Sequence, residues 1–166
     1  MRPIAAFAVI SIASCTASPV TPEHIPTLHG VWNITLRSTS TEESGKICLA
    51  HTRERIQDGF GKGGFRYQGL YSLDLTRLGL DRRTHSDVIR FLNGPRVWGT
   101  EASPDTFQIS FLSYESLAFV MHGVRREDSL AGIWSCRSCA SDGTFAAVLS
   151  SDSICPIPQP PPFRRD

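Results

Sequence analysis

No run of about 20 apolar residues occurs in this 166-residue chain, so no segment reads as a membrane-spanning helix. Charge of one sign is also missing. Seventeen Lys and Arg against 16 Asp and Glu leave a net charge of +1, which removes the electrostatic case for nucleic acid or an acidic membrane surface as partner. Lysine is confined to Lys46 and Lys62, and the pairs Arg82-Arg83, Arg125-Arg126 and Arg164-Arg165 are too scattered to form a basic patch. The chain has no G-x-S-x-G and no H-E-x-x-H, so neither a nucleophile elbow nor a zinc-protease helix is encoded. Gly59 to Gly64 matches G-x-G-x-x-G in letters, but strand-like sequence follows it where phosphate binding needs a helix, so it reads as a hairpin loop. Asp74, Asp81, His85 and Asp87 bunch together without any ligand spacing, as surface loops often do. No catalytic residue, metal ligand set or cofactor is assigned from the sequence.

What is present begins with an export signal over residues 1–14. Arg2 supplies a positive start and Ile4 to Ile12 an apolar stretch too short to cross a bilayer. Ile12-Ala13-Ser14-Cys15 follows, an aliphatic residue and two small ones before a cysteine. This resembles the lipobox of bacterial lipoproteins. The resemblance implies a lipidated Cys15 at the start of the mature chain, and an anchor of several acyl chains. Thr16 after the cysteine, rather than Asp, implies the outer membrane, with the domain facing the periplasm. The alternative is an ordinary signal cut near Ala13 to Ala17, with Cys15 incidental.

Residues 15–26 carry three prolines and no apolar period and read as an extended tether. Residues 155–166, CPIPQPPPFRRD, form a proline-dense tail of the kind that is solvated or docks on an aromatic groove. Residues 27–154 between them make one domain, since the length suits a single core.

Within that domain the dominant pattern is two-residue alternation. Val31 to Arg37, Phe65 to Leu75, Thr106 to Leu112, Leu117 to Val124, Leu130 to Cys136 and Thr144 to Leu149 all show it, and Val88 to Leu92 is a shorter candidate. Lys46 to Asp58 is ambiguous. Turns are expected at Gly59 to Gly64, Asn93-Gly94-Pro95, Ser103-Pro104-Asp105 and Ser141-Asp142-Gly143, and no long amphipathic helix is evident. The expected fold is all-β, a single antiparallel barrel of eight to nine strands, with a β-sandwich as alternative. A barrel is favoured because closure removes sheet edges.

Leu28-His29-Gly30-Val31-Trp32 and Leu130-Ala131-Gly132-Ile133-Trp134 repeat one L-x-G-x-W pattern. Glycine permits a sharply bent strand there, and Trp32 and Trp134 are expected as inward plugs of the barrel. The first G-x-W resembles lipocalins and the wider calycin group. That resemblance implies an eight-stranded barrel able to hold a small apolar or amphipathic ligand.

Setting Cys15 aside as lipidated leaves Cys48, Cys136, Cys139 and Cys155, an even number suited to two disulfides in an exported protein. Three connectivities exist. Residues three apart on an extended strand are too distant to bridge, so Cys136–Cys139 requires a bend. That pair together with Cys48–Cys155 is the favoured pairing; a redox C-x-x-C or a Cys₄ zinc site are the competing uses. The function expected is a non-enzymatic envelope lipoprotein, held to the membrane by its lipid, that binds a small apolar ligand or an envelope protein. An inhibitor or assembly factor acting through its loops is the alternative, and a hydrolase using Asp74 to Asp87 is third.

Overall fold

The computed structural model describes residues 28–57, 63–112, 119–139 and 141–151. The signal, the tether and the proline-rich tail fall outside those residues. Eight strands follow in chain order: β1 (Gly30–Arg37), β2 (Glu42–Ile56), β3 (Phe65–Tyr71), β4 (Arg96–Glu101), β5 (Thr106–Leu112), β6 (Phe119–Arg126), β7 (Ser129–Cys136) and β8 (Ser141–Leu149). Each pairs antiparallel with the next, and β8 pairs back onto β1, so the sheet is one closed up-and-down barrel. Closure satisfies every strand's hydrogen-bonding edge without a second sheet.

Alternation in the sequence becomes alternation across the barrel wall. On β1, Trp32, Ile34 and Leu36 are buried inside while Asn33 and Arg37 are exposed. Gly30 turns the chain into β1 with φ +135, a conformation that favours glycine, and a side chain there would meet Leu149. β2 is the longest strand, and its pairing with β3 slips between His51 and Ile56. That irregularity explains why Lys46 to Asp58 shows no clean period. The hairpin loop expected at Gly59 to Gly64 joins β2 to β3; its described part, Gly63 and Gly64, is not strand.

Three expectations are corrected. Val88 to Leu92 is not a strand: it belongs to a helix, α1 (Arg82–Phe91), which lies with a 3-10 turn (Leu75–Leu78) between β3 and β4. Asp81 caps the helix by accepting from the Thr84 N–H at 2.8 Å, and His85, Val88 and Leu92 form its buried stripe. Gly94 N–H bonds back to Ile89 O at 2.9 Å and ends it. Secondly, Ser141-Asp142-Gly143 is the start of β8, and the turn lies earlier, after Cys136. Thirdly, β4 was not expected at all. Four of its six residues, Arg96 to Gly99, are buried on both faces, so no alternation marks it.

One end of the barrel carries the β1–β2, β3–β4, β5–β6 and β7–β8 connections, and the helical segment sits among them. Leu73, Leu75, Leu78, Leu80, Val88 and Leu92 are all buried in the common core, so this segment closes that end.

Candidate functional site

The barrel interior is the first place to look for a ligand, and it is filled. Trp32, Leu36, Ile47, Leu49, Ile109, Phe111, Phe119 and Met121 have 0% exposure, and Tyr67, Leu130 and Trp134 have 1%. Any void wide enough for water would leave accessible surface on the side chains lining it, and a ligand needs far more room. The aromatic rings interlock: Phe111 packs edge-on against Tyr71 and Phe119 at 5.0 and 5.4 Å, and Phe119 stacks on Trp134 at 5.0 Å. Trp32 and Trp134 sit towards opposite ends of β1. The Trp32 indole N–H donates to Leu28 O at 2.9 Å, just before the strand, and that of Trp134 to Arg37 O at 3.1 Å, at its end.

The acidic and histidine cluster expected around residues 74–87 lies on the helical segment over the closed end. Asp74 and His85 are close enough to interact, and Asp74, Asp81 and His85 each have structural partners. Asp74 accepts from the Thr76 N–H and hydroxyl at 3.1 and 2.6 Å, and Asp81 caps α1. These hydrogen bonds hold both carboxyls below the usual carboxylate range. Asp87 is exposed. The His85 ring is buried and lies 3.1 Å from the Tyr71 hydroxyl. Burial pushes the imidazole below its ordinary value, with the Asp74 carboxylate acting weakly the other way, and pushes the Tyr71 phenol up. Beneath them the buried Glu43 accepts from the Asp74 N–H at 3.0 Å and from Arg77 at 2.9 Å. Among the described residues, no three His, Cys, Asp or Glu side chains converge as metal ligands do.

The cluster therefore sets the pH response of the closed end. The unfolded chain takes up a proton at His85 below about pH 6.5, where the folded chain resists it, so stability falls as pH drops through that point. Asp74 and Asp81 act lower. Their depressed values give stability that is present above their ordinary range near pH 4 and lost as pH falls below it. Thermal melts from pH 7.5 to 5 should show the first loss, and His85→Gln, which keeps a hydrogen-bonding group for Tyr71, should flatten it.

Cys136 and Cys139 form a disulfide across the turn that ends β7, with Cα atoms 5.2 Å apart. The bend needed to bring them together is that turn. Cys139 packs on the core, and a side chain on Gly79 would meet it, so the bridge lies against the loop after the 3-10 turn. Ser141 Oγ donates to Leu78 O at 2.9 Å beside it. Opening so short a loop, by Cys136→Ser with Cys139→Ser, should cost about 2 kcal/mol in a denaturant melt. Cys48 is also disulfide-bonded. Cys15 and Cys155, the lipidation candidate and the expected partner of Cys48, lie outside the described residues.

The feature missed in the sequence is on the outer wall. Three rows of paired, outward residues cross β6, β7, β8 and β1. Val124, Ala131, Ala146 and Thr35 form one row; His122, Ile133 and Thr144 another; Ser129, Val148 and Asn33 a third. Val124, Ile133 and Val148 are 42%, 62% and 58% exposed. No charge lies within these rows, while Arg126, Lys46 and the Arg37–Glu42 pair (2.6 Å) stand at their ends. The signal was present as strands apolar at both parities, as in Ile133-Trp134 and Ala146-Ala147-Val148. Comparison with protein-family models, curated proteins and solved structures finds no match to this chain.

Proposed function

We propose that this is a non-enzymatic cell-envelope domain that binds another protein through the uncharged outer face of β6, β7, β8 and β1, in the manner of an inhibitor or assembly factor. The observation that carries the reading is the filled interior. With the central side chains at 0% exposure, binding is left to the outside of the barrel. This favours the surface-acting alternative over carriage of a small ligand. A closed barrel offers no edge strand for β-augmentation, so a partner must dock on a face or on loops. Interface cores are depleted of charge, and this face is uncharged with three large apolar side chains standing out of it. The partner it fits is a protein with a neutral, apolar surface. Tethering through a lipidated Cys15 at the outer membrane, facing the periplasm, completes the proposal and would confine that partner to the envelope.

The test places a photo-crosslinking residue at Ala131 in cells and asks for a discrete adduct. Ile133→Glu should abolish that adduct while shifting stability by less than about 0.5 kcal/mol, as exposed substitutions do. Adducts that persist in Ile133→Glu, or that form equally from a probe at Arg53 on exposed β2, would remove this face from consideration.

A further inference from the structure

The segment between β3 and β4 is an insertion whose two ends meet. Tyr71 N–H donates to Pro95 O at 2.9 Å and Leu70 pairs with Arg96, so β3 and β4 join beneath the segment and the barrel closes without it. Its two halves are fastened differently. The half around the 3-10 turn is tied to β2 and β8. Ser72 N–H donates to Lys46 O at 2.9 Å, Asp74 N–H and Arg77 donate to the buried Glu43 carboxylate, and Ser141 Oγ donates to Leu78 O. The other half is α1. Val88 and Leu92 rest on the core, and Arg96 Nε holds Leu92 O at 2.7 Å just past the helix end. Among the described residues, the α1 side chains make one hydrogen bond to the barrel wall, between His85 and the Tyr71 hydroxyl at 3.1 Å. Gly79 before the helix and Asn93-Gly94 after it have φ of +96, +55 and +130, so both ends turn on small residues of the kind that serve as hinges.

The groups facing His85 decide what a proton does there. β3 presents the Tyr71 phenol, kept un-ionised by its burial, and behind it the Phe111 ring at 5.0 Å. The 3-10 turn presents the Asp74 carboxylate, which favours an imidazolium but is bonded to Thr76 and also feels Arg82 on α1. β2 presents Glu43, already committed to Arg77 and the Asp74 N–H. In the neutral ring one nitrogen donates and the other accepts. In the imidazolium both donate, and the phenol oxygen serves one of them. The second N–H and the charge are then left in a site only 8% exposed, a cost that outward movement of the ring removes.

We infer that α1 is a hinged flap over the closed end of the barrel, latched at neutral pH by the His85–Tyr71 hydrogen bond and released in acid while the eight strands stay paired. Among the side chains that hold the segment, His85 is the one that ordinarily titrates between pH 5 and 8, so a single proton sets the opening. Release exposes Val88 on the flap and the Tyr71 ring on the barrel, an apolar edge of the aromatic cluster that is covered at neutral pH. The flap lies at the barrel end and operates whether or not the outer wall binds a partner.

Hydrogen exchange of the full exported chain at pH 7.5 and 5.5, each corrected for the intrinsic rate, separates a flap from general loosening. Peptides covering residues 82–92 should lose protection by up to about tenfold at the lower pH, since one proton with an ordinary value near pH 6.5 drives the opening. Peptides covering β7, residues 129–136, should keep theirs. His85→Gln, which keeps a hydrogen-bonding group for Tyr71, should leave residues 82–92 equally protected at both pH values. Unchanged protection of residues 82–92 in the natural chain overturns the inference, and so does a loss that β7 shares in step, because that is unfolding of the whole barrel. A pH dependence kept by a folded His85→Gln chain overturns the latch. If that variant does not fold, the comparison of α1 with β7 in the natural chain decides on its own.

Discussion

Phe111→Ala should cost the barrel about 3–5 kcal/mol and create a binding site that the natural protein lacks. Phe111 has 0% exposure and holds the centre of the aromatic cluster, touching Tyr71 on β3 and Phe119 on β6. Removing its ring deletes buried apolar surface and leaves a dry cavity walled by aromatic and aliphatic groups. Such cavities stay empty of water and accept small apolar molecules. Denaturant melts should therefore show the loss, and benzene should raise the variant's midpoint while leaving the natural chain unmoved. A loss under about 1 kcal/mol, or equal benzene stabilisation of both chains, would mean that the interior already holds space.

Gly143→Ala should also be severe, at roughly 3 kcal/mol, although it adds one methyl group to a strand. Gly143 on β8 faces Trp134 on β7, and a β-carbon there would collide with the Arg37 carbonyl oxygen and come within 2.7 Å of the Trp134 Nε1. That carbonyl accepts the indole hydrogen bond, so one substitution strains the β8–β1 seam and unseats the tryptophan. Backbone cannot step aside as a flexible side chain would. A near-neutral melt for this variant would show the seam to be looser than the geometry implies.

These two sites also illustrate what the sequence made legible. The strands around Phe111 and Trp134 announced themselves by alternation, and the L-x-G-x-W repeat pointed to two inward tryptophans. Both are buried as a barrel requires. An antiparallel barrel of eight to nine strands, with a sandwich as alternative, was the expectation from the number and spacing of such segments, and the sheet is a closed barrel of eight. β4 stayed hidden because Arg96, Val97, Trp98 and Gly99 are buried on both sides, and a strand covered on both faces has no period to read. Val88 to Leu92 misled for a different reason. Its β-branched and aromatic content suits a strand, but the Asp81 cap and the spacing of His85, Val88 and Leu92 suit a helix better. The Asp81 cap is the local signal in the sequence that marks this helix.

The candidate site was harder to see. Asp74, Asp81, His85 and Asp87 drew attention as titratable residues, yet two are caps and His85 is held against Tyr71. The uncharged wall depends on residues from four strands lying side by side, which only the register reveals. Both-parity apolar strands were the single local trace of it.

A solid barrel that works from its outside should hold nothing within it. Mass spectrometry of residues 16–166, exported to a periplasm and examined first under native and then under denaturing conditions, tests it most directly. No small-molecule mass should separate the two, and the denatured mass should be that of the disulfide-bonded polypeptide alone. Extra mass of small-molecule size that is present under native conditions and departs on denaturation would mean that a ligand occupies the interior, and would overturn that reading.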